Sequence, residues 1–183
     1  IKMASTKYDR AKSHLNLDKI ASADDFDGKD TMNKATTATV INTTTPDPAY
    51  NQSGAQGWCN GIIGSSNRFN DGEWLGFNGK TFETIMQFNK TESLKNVQLH
   101  FFQSKGSWVY LPKSVEILSS MDGVNFTLVA KQDNFEKAKD GKFTLNIATP
   151  VAQAKYLKII ALPLDKIPAG NAGAGSPAWL FMD

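Results

Sequence analysis

At 183 residues and 20.0 kDa the chain is long enough for one domain and an extension, with a core burying roughly two thirds of its unfolded surface. Forty per cent hydrophobic, 21% charged and 10% aromatic residues are globular values that argue against disorder over most of its length. The formal charge is +2 and the 20 basic residues are scattered, so nothing tracks a phosphate backbone and nucleic acid is excluded as a partner. No apolar run reaches the roughly 18 residues of a membrane helix, which excludes membrane insertion by that route.

Residues 1 to 33 carry a cluster of Asp24, Asp25, Asp27 and Asp30, frequent Lys and no sustained apolar period, and are expected to be a linker or the tail of a preceding module. The cluster is not an EF-hand. Aligning Asp25, Asp27 and Gly28 puts Ala23 at the first ligand position and Lys34 at the twelfth. A chain opening on Ile reads as an excised piece of something longer.

From about Ala35 the pattern is β. Thr36 to Thr45 is a Thr- and Val-rich run stopped by Pro46 and Pro48. Cys59 is the only cysteine, so no intrachain disulfide forms, and beside Trp58 it is expected to act as a buried small hydrophobe. Asn60 to Phe77 is rich in turns: Gly61, Gly64, Gly72 and Gly76 allow positive φ or close approach, and the Asn and Asp residues hydrogen-bond their own backbone. Such a loop is rigid without being regular and directs carbonyls and short polar groups toward one place, as a hard cation or a polar ligand requires.

Further on, Phe82, Thr84, Met86 and Phe88 alternate with Glu83, Ile85 and Gln87; Val97, Leu99 and Phe101 form another period-2 set. Val115 with Ile117, and Phe143, Leu145 and Ile147, do the same. Asp122-Gly123 between Ile117-Leu118 and Phe126–Leu128 predicts a hairpin with a two-residue I′ turn. Tyr156 to Leu162 is more continuously apolar and is expected to be buried on both faces. Short strands with regular turn signals, and no long 3.6-residue periodicity, predict an all-β sandwich.

Catalytic signatures are missing: no Gly-x-Ser-x-Gly, no His-Glu-x-x-His, no phosphate-cradling glycine loop, no Cys-x-x-Cys. His14 lies in the extension and His100 is expected to point outward from a strand. No separation between Glu73, Glu83, Glu116 and Asp122 of the kind glycoside hydrolysis needs can be read from the sequence. The chain itself is therefore expected not to be an enzyme.

Trp108 stands in the polar loop Gln103–Trp108, where an exposed indole is expected to stack on a ligand ring or, alternatively, to pack against Pro112. Gln103 and Lys105 share that loop, while Arg68 lies in the Asn60–Phe77 loop and Asn171 in the Gly-rich Ala169–Ser176 loop; the family resemblance given below implies that these loops lie near one another, which makes Gln103, Lys105, Arg68 and Asn171 the candidates for hydrogen-bonding a sugar stacked on Trp108. Trp58, Trp74 and Trp179 are expected to be packing residues.

Six segments carry a family resemblance: Asn60-Gly61-Ile62-x-Gly64-Ser65, Trp74-x-Gly76-Phe77, Phe102 to Pro112 with Trp108, Ser120-x-Asp122-Gly123-x-x-Phe126, Ala154 to Ile159, and Ala178 to Phe181. Over about residues 34 to 183 the chain resembles the discoidin, or coagulation factor V/VIII type C, domains that include the family 32 carbohydrate-binding modules. Its flavour is that of the C-terminal domains of bacterial chitobiases and β-hexosaminidases. The resemblance implies an eight-stranded jelly-roll β-sandwich whose loops at one end bind glycan of the N-acetylhexosamine or galactose type. It also implies an attached catalytic module as partner and extracytoplasmic residence. A structural calcium is implied at Gly57, Asn60, Ile62, Ser65 and Asp183, with Asn60 where the family carries Asp, and with a Glu expected one residue beyond Asp183. Sugar-binding relatives often carry an Arg and an Asn between the positions of Gln103 and Trp108, and neither is present here. A structural or protein-interaction domain packed on the catalytic module without binding sugar is the alternative.

Overall fold

A computed structural model describes residues 33–135 and 138–183, the side chain of residue 152 excepted. The linker expected over 1–33 lies, apart from Asn33, outside the described residues. Among the described residues seven strands form one antiparallel sheet: β1 (Thr39–Thr43), β2 (Leu75–Asn78), β3 (Phe82–Gln103), β4 (Ser114–Ser120), β5 (Thr127–Asp133), β6 (Gly141–Leu162) and β7 (Trp179–Met182). Among the described residues no helix is long and apolar enough to cross a membrane.

The sheet folds over on itself because β3 and β6, 22 residues each, run through both layers. Their ladder is regular from Phe82 to Gln87 and again from Asn96 to Gln103, with register shifts between. Bulges of this kind bend and twist a strand. On one side of the bend the first part of β3 pairs with β1 and the last part of β6, which continues to β4 and β5; on the other, the end of β3 pairs with the start of β6 and with β7, which continues to β2. The main apolar cluster joins the layers, with Phe82, Met86, Ile117 and Ile159 from one and Phe77, Phe101, Leu145 and Leu180 from the other. This is a β-sandwich. Its strand count depends on where the two long strands are divided.

The period-2 pattern explains the burial. Phe82, Thr84, Met86 and Phe88 are buried while Glu83, Ile85 and Gln87 are half-exposed, and Leu99, Phe101, Val115, Ile117, Leu145 and Ile147 face the core. Each fully buried Phe or Leu contributes about 2 kcal/mol of transfer free energy. Three local expectations are corrected. In Tyr156–Leu162 only Leu157, Ile159 and Ala161 are buried; the alternate positions are half-exposed, because β6 there has core on one face only. The β4–β5 hairpin exists, but its connection spans residues 121–126 and only Gly123 takes a positive φ, +77°. The Asp122 carboxylate closes that loop by accepting from the backbone N–H groups of Val124 and Asn125 and from the Asn125 amide and Ser120 hydroxyl. Cys59 is half-buried, not fully buried, with its thiol directed at the Gln56 carbonyl.

Candidate functional site

The end of β3, the start of β6 and the start of β7 meet at one rim of the sandwich, since Gln103 pairs with Gly141 and Phe102 with Phe181. Two loops leave from it, and a third, within Asn60–Phe77, reaches it from the opposite end of β7. After β3 a 3₁₀ turn, Lys105–Ser107, ends at Trp108, whose backbone is left-handed at φ 65°, ψ 17°. That region is uncommon for a bulky side chain and costs about 1 kcal/mol or more unless the surroundings impose it. Here they do: the Trp108 N–H donates to the Lys105 carbonyl at 3.1 Å, and its own carbonyl accepts from Trp179 N–H at 2.9 Å. The turn thus lifts the indole out of the sheet plane and leaves it 40% exposed.

The second loop, Ala169–Ser176, lies beside that indole. Gly173 has φ +77°, and a Cβ built on it would fall 2.4 Å from Trp108 Cε2, so the ring rests on bare glycine backbone. Bonds from Gly175 N–H to Ile167 O, Ile167 N–H to Ser176 O and Ala174 N–H to Asn171 O brace this loop. The third loop is anchored where Lys142 N–H donates to the Ser66 carbonyl at 2.9 Å, next to Gly141. Phe69 from this loop inserts into an aromatic cluster with Phe102, Phe181 and Tyr50. Asp140, just before β6, ties the first loop to that strand by accepting from Lys105 N–H at 3.4 Å.

Of the five sugar candidates, Trp108 and Lys105 share the first loop and are exposed, and Asn171 belongs to the loop under the indole. The Asn171 amide donates to the Pro168 carbonyl at 3.3 Å, which leaves its oxygen for other partners. Arg68 is exposed on the third loop, beside Ser66. Gln103 is a correction: it is 4% exposed, and its amide donates inward to the Ala138 carbonyl at 2.8 Å. As the last residue of β3 its side chain falls on the core face, so it holds the segment before β6 in place. Trp58 and Trp74 are buried and Trp179 is half-buried against Tyr50 and Phe181, as packing residues. His100 is half-exposed, with Nδ1 3.1 Å from Thr144 Oγ1.

The residues named for calcium gather at a second corner, at the far end of β7. Asn60 Oδ1 accepts from Ile62 N–H at 2.6 Å, and its amide nitrogen donates to Glu73 Oε2 at 2.9 Å. Gly64 N–H donates to Asp183 Oδ2. The Ser65 hydroxyl points to Asn67 Oδ1 at 2.9 Å, and the Gly57 carbonyl accepts from Asn60 N–H at 3.1 Å. Glu73 and Asp183 are both buried, at 4% and 7% exposure. Burial pushes the Asp183 carboxyl well above the usual carboxylate range, the Gly64 N–H opposes that, and the Glu73 and Asp71 charges reinforce it. Two buried carboxylates fit a hard cation, while the amide of Asn60 and the hydroxyl of Ser65, turned to other partners, do not present oxygens to one. Among the described residues no group of three or more His, Cys, Asp and Glu is arranged to hold a metal ion. Glu73 was not among the residues named for this corner; it lies in the glycine-rich loop, 13 positions after Asn60, and accepts from the Asn60 amide.

No family model matches the chain, and no curated protein matches it. Among solved structures it is similar to a family 32 carbohydrate-binding module of a family 31 glycoside hydrolase from Clostridium perfringens, at 16% identity and TM-score 0.49, covering 82% of this chain and 92% of that one. It is similar to the C-terminal domain of a chitobiase from Bacteroides fragilis, at 17% identity and TM-score 0.49, with 82% and 95% covered. A third is the family 32 module of NanJ from Clostridium perfringens, in complex with galactose, at 16% identity and TM-score 0.46, with 82% and 96% covered.

Proposed function

We propose that the chain is a non-catalytic carbohydrate-binding domain that holds an attached glycoside hydrolase on its glycan outside the cytoplasm. The observation that carries the reading is Trp108: a bulky residue held in left-handed backbone so that its indole stands 40% exposed over the glycine-rich loop. Backbone strain kept at an exposed aromatic is a mark of recognition sites. An indole covers the apolar face of a pyranose, while Lys105, Asn171 and Arg68 supply hydrogen bonds to hydroxyls from the three loops around it. Galactose-type and N-acetylhexosamine sugars present such a face. Millimolar affinity suffices, because tethering raises the local concentration of the enzyme on its substrate.

Calcium belongs to the same proposal as a structural ion, held by the Asp183 and Glu73 carboxylates with the Gly57 and Ile62 carbonyls, and it would offset the buried negative charge at that corner. Its binding requires the Asn60 amide to turn its oxygen toward the ion and give up the Ile62 N–H. Ser65 would release Asn67 in the same way.

Glycan-array binding of the full chain with and without chelator tests the reading. Selective binding of galactose- or N-acetylhexosamine-terminated glycans, lost in Trp108→Ala, is expected. A blank array with calcium present would favour the alternative, an interaction domain. For that reading the exposed Met121 (52%), Val124 (79%) and Leu128 (52%) around the β4–β5 hairpin are the relevant surface.

A further inference from the structure

The rim around Trp108 is rich in groups that only donate. Lys105 and Arg68 are exposed there, and a third exposed cation, Lys139, stands in the segment just before β6. That segment is pinned from two sides: the Gln103 amide donates to the Ala138 carbonyl at 2.8 Å, and the Asp140 carboxylate accepts from Lys105 N–H at 3.4 Å. Immediately after it, Gly141 lies so close to Ser66 that a Cβ on it would fall 3.0 Å from the Ser66 carbonyl, and the Lys142 N–H donates to that same oxygen at 2.9 Å. The start of β6 therefore gathers Lys105, Lys139 and Arg68 from three separate stretches of chain.

None of these three has a carboxylate partner among the described residues, where the ion pairs are Lys34 with Glu92, Lys113 with Asp165, Lys131 with Glu116 and Lys158 with Glu83. Lys142 is not counted with them, since its charge acts on Asp183. Of the neighbouring acids, Asp71 is turned into its own loop, accepting from the backbone N–H groups of Ser65 and Glu73, and Asp140 already holds Lys105 N–H. A neutral sugar does not use this balance. Its hydroxyls both donate and accept, whereas ammonium and guanidinium groups only donate. The complement of a net-positive, donor-only rim is an anion whose oxygens only accept, and a planar guanidinium can meet two such oxygens at once. For a cation about 4 Å away the added Coulomb attraction is worth roughly fivefold in affinity, even at the dielectric of water.

We propose that the glycan held at this rim is anionic, with a carboxylate or sulfate on the sugar stacked on Trp108 or on the one next to it, met by Arg68, Lys105 and Lys139. The inference rests on the carbohydrate-binding reading and narrows its substrate class. Trp108 supplies the stacking face common to all pyranoses; the three cations select among them.

Calorimetric titration of the full chain tests it, with two neutral sugars, methyl galactoside and N-acetylgalactosamine, and two anionic ones, methyl galacturonide and galactose 6-sulfate. At about 0.02 M salt an anionic sugar is expected to bind roughly fivefold or more tightly than either neutral one, and at about 0.5 M the gap is expected to close. Tighter binding of the uronide assigns a carboxylate, and of the sulfate a sulfate ester; either supports the proposal. Lys139→Glu, at an exposed position, is expected to remove the preference while neutral sugars bind as before. Trp108→Ala is expected to abolish binding of all four. Equal or weaker binding of the anionic sugars, or a preference that neither salt nor Lys139→Glu changes, overturns the proposal and leaves carbohydrate binding in place. Binding of the anionic sugars that survives Trp108→Ala is adsorption by charge alone and overturns it too. Binding of none of the four refutes the carbohydrate reading, and this inference with it.

Discussion

Trp108 and Gly173 define each other's conformation: the indole lies where a Cβ on Gly173 would come within 2.4 Å of Cε2, and both residues are left-handed, at φ 65° and +77°. Gly173→Ala therefore has two costs, a strained backbone and a displaced indole. It is expected to lower stability by about 1–2 kcal/mol and to weaken glycan binding at least tenfold, read by thermal melting and by calorimetric titration. Unchanged affinity with unchanged melting would mean that the ring does not rest on that glycine.

Trp108→Gly separates recognition from folding. Glycine adopts φ 65° without penalty, which offsets the packing lost with a 40% exposed ring. The variant is expected to stay within about 1 kcal/mol of the parent in denaturant unfolding while losing sugar binding. A large loss of stability would instead place Trp108 among the packing residues.

Gly64 is a packing glycine of another kind. A Cβ there would lie 2.4 Å from Nε1 of Trp74, a fully buried indole whose N–H donates to the Ser65 carbonyl at 3.1 Å. Gly64→Ala is expected to cost about 2 kcal/mol or more through overpacking and a broken buried hydrogen bond. Guanidinium unfolding monitored by tryptophan fluorescence measures it, and a neutral result would show that the loop yields easily.

The Asp183 corner sets a pH dependence. Its folded carboxyl titrates well above the ordinary value of 3.8 because it is buried. With the folded pKa above the unfolded one, the unfolded state ionises first as pH rises. The cation-free protein is then expected to lose stability from about pH 4 upward until the folded carboxyl ionises. Asp183→Asn should flatten that slope and raise the melting point at neutral pH. Calcium should do the same for the parent chain, by about 2.7 kcal/mol at a hundredfold excess over its dissociation constant. Stability that climbs with pH over this window, in chelator, would contradict the upward displacement of this buried acid.

Much of the fold was legible because its signals are local. Alternation in Phe82–Phe88 and Leu99–Phe101 identified the core face of β3, and the same reading worked for β4 and the first part of β6. The two-layer passage of β3 and β6 was not legible, since a register shift depends on partners far along the chain. The Asp122-Gly123 turn failed for a physical reason: Asp122 accepts four hydrogen bonds in a longer loop, and that network outweighs the intrinsic preference of the dipeptide for a tight turn. At the rim the order of loops was readable, but which way each side chain turns was not. Gln103 sits five residues from Trp108 in one polar-looking loop, yet it ends a strand and points into the core. Glu73 became visible as a partner of Asn60 only when the glycine-rich loop closed on itself.

The most direct measurement is the chemical shift of the Trp108 indole and its neighbours, by nuclear magnetic resonance, during titration of the full chain with galactose and N-acetylgalactosamine. Saturable shifts of the Trp108 ring together with Gly173 and Asn171 amides, absent in Trp108→Ala, are what a sugar stacked at this rim produces. Saturating shifts that leave Trp108 and Gly173 unmoved, or none with either sugar up to high millimolar concentration, would contradict the placement of glycan recognition at this residue.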